Sequence, residues 1–152
     1  MSPNFWRNAV KPAYVFSDAL VVDLRVGPDI RDITATLERM VKDVNVVDGV
    51  LYATVVGSTG SITTIEFEPG VVADLKAAVN RMASPDLDYA HEQAWHDGNG
   101  PSHLRSTLIG TSRTFPVSEG AAILGTWQQI ILLDFDNSPR HRKVILQFVG
   151  ED

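Results

Sequence analysis

The chain has 152 residues, of which 44% are hydrophobic and 21% charged, a composition typical of one globular domain with its own core. Thirteen Lys and Arg against nineteen Asp and Glu give a formal net charge of -6, so neither nucleic acid nor an acidic membrane surface is an expected partner. Cysteine is absent, which excludes disulfides, thiolate nucleophiles and thiolate metal ligands. We therefore predict one domain over residues 1–152, in which any metal is held by imidazole, carboxylate or backbone oxygen.

The beginning of the chain carries no targeting signal that we recognise. Residues 1–15 contain Pro3 and Pro12 and lack the apolar core of a secretory signal. No apolar run approaches the roughly 20 residues that a helix needs to span a bilayer. We expect a soluble, cytoplasmic protein.

A strand and a helix are predicted first. The loose alternation of apolar and polar residues over 13–26 predicts one long or two short strands, which Gly27-Pro28 ends. Apolar residues then recur at helical spacing, at Ile30, Ile33, Leu37, Met40, Val41 and Val44. Because proline and an acidic residue suit the first turn of a helix, we expect this helix to begin at Pro28-Asp29 and to continue to Val44.

Two strands and a second helix follow. Residues 50–56 are rich in β-branched side chains and predict a strand, and residues 61–67 predict another. Pro69 begins the second helix, whose apolar stripe ends near Ser84-Pro85. Residues 86–102 show neither the helical nor the strand period and contain two of the four histidines, with His103 directly after them, so we predict a long loop there.

A short helix is predicted after this loop. Pro101 and Gly110 suit its two ends and bracket residues 102–109. We expect Leu104 and Leu108 to be its buried side chains.

Strands dominate the remainder. Residues 114–117, 123–136 and 143–149 are rich in β-branched and aromatic side chains, and we expect Trp127 to lie in the core. Two main helices and one short helix among about seven strands, without regular alternation, indicate an α+β fold with a sandwich of mixed or antiparallel strands.

Charged residues surround the last turn. Asp134 and Asp136 precede the basic run of residues 140–143. The ordinary interpretation is a hairpin with ion pairs between its two strands.

The histidines of the long loop form the first candidate site. His91, His96 and His103 lie close together in sequence, beside Asp97 and Asn99. Imidazole with carboxylate is a common ligand set for zinc and other transition metals, although this spacing does not force the side chains to converge. These side chains either bind a metal or hydrogen-bond the loop to itself, and we assign His96 to the second role.

The beginning of the short helix is a second candidate. Residues 98–102 place flexible backbone before a helix start, where free N–H groups attract a phosphate or carboxylate. Arg105, one turn inside, adds positive charge. A plain Asn or Ser cap explains the same residues without a ligand.

Three features on the strands complete the candidates. Residues 57–61, Gly-Ser-Thr-Gly-Ser, have the composition of a phosphate-binding loop but lack the lysine of a P-loop, and form either an anion-binding nest or a tight connection. Glu66 lies among apolar residues and is either paired, metal-bound or exposed. The amide of Gln128 either points into a site or is exposed.

Several short motifs together resemble the YjbQ family. They are Tyr89-x-His91, Asp97-Gly98-Asn99-Gly100-x-Ser102-His103-Leu104, Gly110-x-Ser112, Pro116-Val117, Leu124-Gly125-Thr126-Trp127-Gln128 and Pro139-Arg140-x-Arg142. The resemblance continues upstream through Asp48-Gly49, residues 57–61 and Glu66-x-Glu68-Pro69, so it covers nearly the whole chain after Asp18.

The resemblance implies an α+β sandwich, a homotrimer and a weak, secondary thiamine phosphate synthase activity, in which a pyrimidine diphosphate is joined to a thiazole phosphate with loss of pyrophosphate. It makes small phosphorylated molecules the expected partners, and no organic cofactor is expected. Many family members carry a histidine where this chain has Gly57, so the chain resembles a branch with Gly-Ser-Thr at this loop.

Side-chain chemistry then suggests roles for the matching residues. The catalytic candidates are His91, His103, Asp97 and Glu66, and the substrate-binding candidates are Asn99, Ser58, Thr59, Arg105 and Gln128. A metal, Mg²⁺ or Zn²⁺, is expected at His91, His103 and Asp97, with Glu66 beside Asp97 if it is Mg²⁺. The alternative is a non-catalytic trimer that binds a metal or an anion.

Overall fold

The computed structural model describes residues 13–45 and 47–151. Eight strands and four helices form in this part of the chain. The strands are β1 (Tyr14–Leu24), β2 (Asp29–Asp32), β3 (Asp48–Val55), β4 (Gly60–Ile65), β5 (Ser112–Ser118), β6 (Ala121–Ala122), β7 (Gln129–Asp134) and β8 (Arg140–Glu151), and the helices are α1 (Thr34–Asp43), α2 (Pro69–Met82), α3 (Ala90–Trp95) and α4 (Gly100–Ile109). Most of residues 1–15, where no signal was expected, lie outside the described residues.

The strands form two antiparallel sheets. The large sheet has the order β1-β8-β3-β5-β6, and the small sheet has the order β2-β7-β4. The α+β sandwich expected from the sequence is confirmed, with one more helix than predicted. Within the described residues, no helix has the length and apolar character needed to cross a membrane.

Strand β7 is the central element because both of its faces are buried. Ile130 and Leu132 pack in the cluster between the two sheets, with α1 closing one side. Ile131 and Leu133 point to the opposite face, where Val79 of α2 covers them. Alternation along a strand explains this division, and burial of each such side chain contributes about 1.5–3 kcal/mol. The molecule therefore has three layers: the large sheet, the small sheet and the helices α2 and α4.

The first helix begins later than the sequence indicated. Residues Asp29–Asp32 pair with β7 as strand β2, and α1 begins at Thr34. Buried backbone groups on that edge of β7 need partners, and this requirement outweighs the helical spacing of Ile30. Asp32 Oδ1 accepts from Thr34 N at 2.9 Å, which stabilises the new helix start.

The predicted long loop contains the helix α3. No α3 residue is buried, so the sequence has no apolar stripe that would have revealed it.

The predicted strand over 123–136 is also interrupted. A turn forms in which Gln128 N donates to Gly125 O, while Gln128 Oε1 accepts from Gly125 N. Trp127 lies in this turn with 72% of its surface exposed, so the prediction that it packs in the core is wrong.

Helix α4 buries its polar side instead of its leucines. Leu104 and Leu108 are 44% and 62% exposed, contrary to expectation. The buried side chains include Ser102 and Ser106, whose hydroxyls donate to Phe135 O at 2.6 Å and Gly60 O at 2.7 Å. Because backbone carbonyls of β4 and of the residue that follows β7 accept these bonds, the polar face can pack inward at little cost.

The acidic and basic residues near the last turn form a buried network between the sheets, not a surface hairpin. β7 and β8 belong to different sheets. Arg142 donates to both oxygens of Asp134, at 2.9 and 2.7 Å, and to the hydroxyl of Thr59. Thr59 in turn donates to Asp136, which also accepts from Arg140.

Asp136 makes the stability of this network dependent on pH. Burial alone would raise its pKa, but hydrogen bonds from Arg140, Ser138 and Thr59 outweigh that effect and lower the pKa to about 2. A lowered pKa stabilises the fold above the ordinary value of 3.8, and the contribution is lost as the pH falls from 3.8 towards 2.

We predict that Asp136→Asn lowers stability at neutral pH, and that its difference from the wild type narrows by about 2 kcal/mol between about pH 5 and pH 2. Urea unfolding at a series of pH values measures this narrowing. Asp74→Asn, an exposed change on α2, controls for the loss of one negative charge. An equal narrowing in that control would contradict the assignment to Asp136.

Candidate functional site

The two short helices α3 and α4 bring His91 and Asp97 together. α3 ends at Trp95, and the next residue, His96, has a left-handed φ of 51° that reverses the chain. Asp97 therefore returns to His91, and its Oδ1 lies 3.2 Å from His91 Nε2. His96 donates its backbone N–H to Glu92 O at 3.1 Å, which closes the last turn of α3.

Glu92, which the sequence analysis did not single out, fastens the beginning of α4. Its carboxylate accepts from Gly100 N at 2.8 Å and from Gly98 N at 2.7 Å. These two bonds, the one from Gly100 first, lower the pKa of Glu92. The chain's own carboxylate therefore lies where a ligand anion was predicted, and Asn99 makes no side-chain cap. An acidic residue shortly before a Gly-rich helix start is the signal that could have indicated this cap.

Asp97 is held as an ionised acceptor. Its Oδ1 accepts from Asn99 N at 3.0 Å as well as from His91. The Asn99 bond, followed by the charge and hydrogen bond of His91, outweighs burial and lowers the pKa of Asp97. Since a carboxylate only accepts, His91 Nε2 must carry the proton, and Nδ1 holds the lone pair of the neutral ring.

The ring of His103 lies against that of His91. The two ring centroids are 4.7 Å apart, with 55° between the planes. His103 Nδ1 lies 3.2 Å from the backbone carbonyl of Ser58, so it is the donor, and the neutral ring has its lone pair on Nε2. The two imidazoles are thus held in opposite tautomers by different partners.

One nitrogen of His91 and one oxygen each of Glu92 and Asp97 lie within 4.8 Å of one another. This is the group of potential ligand side chains that converges in the described part of the chain, and His103 is not one of its members. Imidazole with two carboxylates suits zinc and other transition metals better than Mg²⁺.

Asn99 and Asn137 join the site to the end of β7. Asn99 is buried, and its Oδ1 accepts from Asn137 N at 3.1 Å. The side-chain amide of Asn137 donates to Asp97 O. Asn99 therefore lies beside the histidines, but its carbonyl oxygen already has a partner within the protein.

Two predicted phosphate ligands are already hydrogen-bonded elsewhere. The Thr59 hydroxyl lies inside the buried network with Arg142 and Asp136. Arg105 donates from Nε and NH2 to Ala83 O at 3.0 and 2.6 Å, and burial lowers the pKa of its guanidinium. Both side chains are also buried, so neither is presented to a substrate at the surface. Ser58 remains at the site, with its carbonyl on His103.

The structure does not bring Glu66 and Gln128 to the histidines. β4 runs from Gly60, near the histidines, to Ile65, and a strand rises about 3.3 Å per residue. Glu66, the residue after this strand, therefore lies about 20 Å from Gly60. Its side chain is exposed to solvent. Gln128 lies at the same far end, where its amide donates to Thr64 Oγ1 at 3.1 Å.

Gly57 has a backbone that disfavours any side chain. Its φ is +138°, and an added Cβ would lie 2.7 Å from Arg142 NH1. A side chain at this position would therefore require the guanidinium of Arg142 to shift.

A cleft of about 380 Å³ adjoins the site. Glu92 and His96 line it together with Leu87, Asp88, Tyr89 and Gln93, whereas His91 and His103 do not. The histidine pair is therefore a surface site, with His91 half-buried and Asp97 exposed.

Because Glu92 bonds both glycine amides, we predict that Glu92→Gln speeds hydrogen exchange at Gly98 N and Gly100 N, since a neutral amide accepts more weakly than a carboxylate. Amide exchange followed by NMR measures this change. Glu38→Gln on α1 is the matched control and should leave both amides as in the wild type. Unchanged exchange in Glu92→Gln would contradict the cap.

Comparison with known proteins identifies the family. A family model described as UPF0047 protein YjbQ-like matches residues 20–151. A UPF0047 protein of Archaeoglobus fulgidus is 34% identical over 119 residues, which is 78% of this chain and 90% of the relative. A UPF0047 protein of Mycobacterium tuberculosis is 35% identical over 102 residues, or 67% of this chain and 76% of the relative.

Solved structures agree with this assignment. A YbjQ-like protein of unknown function from Sulfolobus solfataricus superposes with a TM-score of 0.87 at 29% identity, over 92% of this chain and 100% of that one. A hypothetical protein from Aeropyrum pernix gives a TM-score of 0.84 at 31% identity, over 90% and 99%. The sequence match and the shared fold together show that this chain belongs to the YjbQ family, UPF0047.

Proposed function

We propose that the chain is an enzyme acting on small phosphorylated molecules at the surface formed by His91, Asp97 and His103. The observation that carries the proposal is the tilted pair of imidazoles, each with one nitrogen fixed by a different acceptor. Such a pair presents one further nitrogen from each ring in a defined direction. Once protonated, such a nitrogen is a donor of fixed direction, which is what stabilising a departing phosphate group requires.

The reaction that the family resemblance suggests is a secondary, weak synthesis of thiamine phosphate. The bond between the pyrimidine's methylene carbon and its diphosphate breaks, the diphosphate leaves with the electron pair, and the carbon bonds to the thiazole nitrogen. In this reaction His103, when protonated, donates from Nε2 to the departing diphosphate, because Nδ1 is already on Ser58 O. His91 is oriented by Asp97 and contributes a second polar contact.

A divalent metal fits beside this pair. His91, Glu92 and Asp97 would hold it, and the metal would neutralise phosphate charge. The backbone N–H of Asn99 holds Asp97, and the backbone carbonyl of Ser58 holds His103. We further propose that the protein is a cytoplasmic homotrimer. Glu66 and Gln128 would reach the site only from another subunit of that trimer.

A metal- or anion-binding protein without catalysis is the second candidate. The convergence of His91, Glu92 and Asp97 favours it, since these three groups suffice for a zinc site with one open position.

His103→Ala tests the enzymatic proposal. We expect it to lower thiamine phosphate formation from the two phosphorylated precursors at least about 100-fold, the usual contribution of a general acid. Rates are measured with and without Mg²⁺ and Zn²⁺, and bound metal is measured by elemental analysis.

His141→Ala, which removes an exposed histidine on β8, is the control and should keep wild-type activity. Equal product from His103→Ala and wild type would exclude the proposed chemistry. Stoichiometric zinc without turnover would favour the second candidate instead.

A further inference from the structure

Among the residues that the structure describes, no layer covers the outer face of the large sheet. The inner face packs in the main core through Leu51, Phe115 and Phe148. The register of β1, β8, β3 and β5 places twelve residues on the centre of the outer face, and none of them is buried. They form three rows across the four strands, which are Val15, Val149, Val50 and Pro116, then Ser17, Gln147, Tyr52 and Thr114, then Ala19, Ile145, Thr54 and Ser112.

The three central rows contain no charged side chain. A surface suited to water carries charge on about a quarter to a third of its residues. Depletion of charge around an exposed tyrosine is instead typical of the core of a protein interface. Tyr52, in the middle row, is 43% exposed, and Val15 at the border is 62% exposed.

Polar side chains in these rows are paired with one another. The amide of Gln147 donates to Ser17 Oγ at 3.3 Å, and the hydroxyls of Thr54 and Ser112 lie 2.9 Å apart. Covering polar groups that already have partners costs less than covering unpaired ones. These side chains therefore add little penalty to burial of the outer face.

The free edge of β1 is protected, in contrast to the face. Odd-numbered residues of β8, such as Lys143, direct their backbone groups to β3, so Ala19 of β1 directs its N–H to the free edge. Asp18 Oδ1 accepts from this N–H at 2.7 Å. A carboxylate that occupies an edge amide opposes the addition of another strand. We therefore expect a partner on the face and not along the edge.

The two ends of the outer face carry opposite charges. Lys143 lies at one end, where Asp23 is paired with His141, and Asp48 and Glu151 lie opposite each other at the other end. If two such faces stack with their strands antiparallel, the lysine of each copy meets the acidic end of the other. Parallel stacking would bring like charges together, which is unfavourable. The outer face is thus complementary to itself.

We propose that a second copy of this chain packs its own outer face on this one, with the two large sheets antiparallel about a two-fold axis near Tyr52 and Gln147. The three central rows and the two end rows cover about 19 by 33 Å, or roughly 600 Å², the lower end of the range for a stable interface. The tyrosine of the second copy would enter a depression of about 220 Å³ that is lined by Tyr52, Thr54, Ser112, Arg113 and Thr114. This contact goes beyond the proposed reaction and is separate from the proposed homotrimer, with which it would form a hexamer of two trimers.

Tyr52→Glu tests the interface, because it buries two carboxylates without partners at the centre of the contact. The molar mass in solution is measured by light scattering after size-exclusion chromatography. We expect an even number of subunits in the wild type, a dimer or a hexamer, and half of that mass in Tyr52→Glu. Met82→Glu, which adds the same charge at an exposed apolar position on α2, is the matched control and should keep the wild-type mass.

Charge exchange tests the antiparallel orientation with milder variants. We expect Lys143→Glu and Glu151→Lys each to raise the dissociation constant of the two-fold contact at least about fivefold, since each affects two symmetry-related ion pairs. The double variant should return to within about twofold of the wild type. The two residues lie about 27 Å apart along β8, so restoration can arise only between copies.

Three results would overturn the proposal: an unchanged mass in Tyr52→Glu, a double variant that associates no better than the single ones, or a wild type of one or three subunits. A monomeric wild type would leave residues 1–12, which precede β1, as the segment that covers the outer face.

Discussion

The buried ion network of Arg142, Asp134 and Asp136 is the constraint that joins the two sheets to the site. Two buried carboxylates and a buried cation are stable only when each is paired and hydrogen-bonded, and here the bonds come from both sheets. Removing any partner leaves an uncompensated charge. The network therefore fixes the end of β7 and the beginning of β8, and with them the turn of residues 135–139 that joins the two strands.

The site is built outward from this turn. Phe135 O accepts from Ser102 of α4, and Asn137 holds both Asn99 and the backbone of Asp97. Glu92 then ties α3 to the beginning of α4. Together these hydrogen bonds place the two imidazole rings 4.7 Å apart, centroid to centroid, at the surface. Such preorganisation is what a site needs when it must orient a charged group with few enclosing walls.

The sequence predicted elements whose pattern is local, and it failed where tertiary contacts decide. The helix from Pro69 is as expected, because its proline start and apolar stripe are local signals. Residues Asp29–Asp32 became a strand because β7 required a partner, which no local pattern shows. His91, Asp97 and His103 are close in sequence and are brought together by the turn at His96 and by the packing of α3 on α4, which spacing alone does not show. Glu66 was assigned by its chemistry and lies at the other end of β4.

The hydrogen bonds of the site hold the two histidines in opposite tautomers. Two-dimensional NMR of the imidazole nitrogens, recorded on metal-free protein at a pH well above the ordinary histidine pKa of about 6.5, observes this directly. We predict that His103 carries its proton on Nδ1 and His91 on Nε2. Finding both rings protonated on Nε2, or both exchanging between tautomers, would contradict the account.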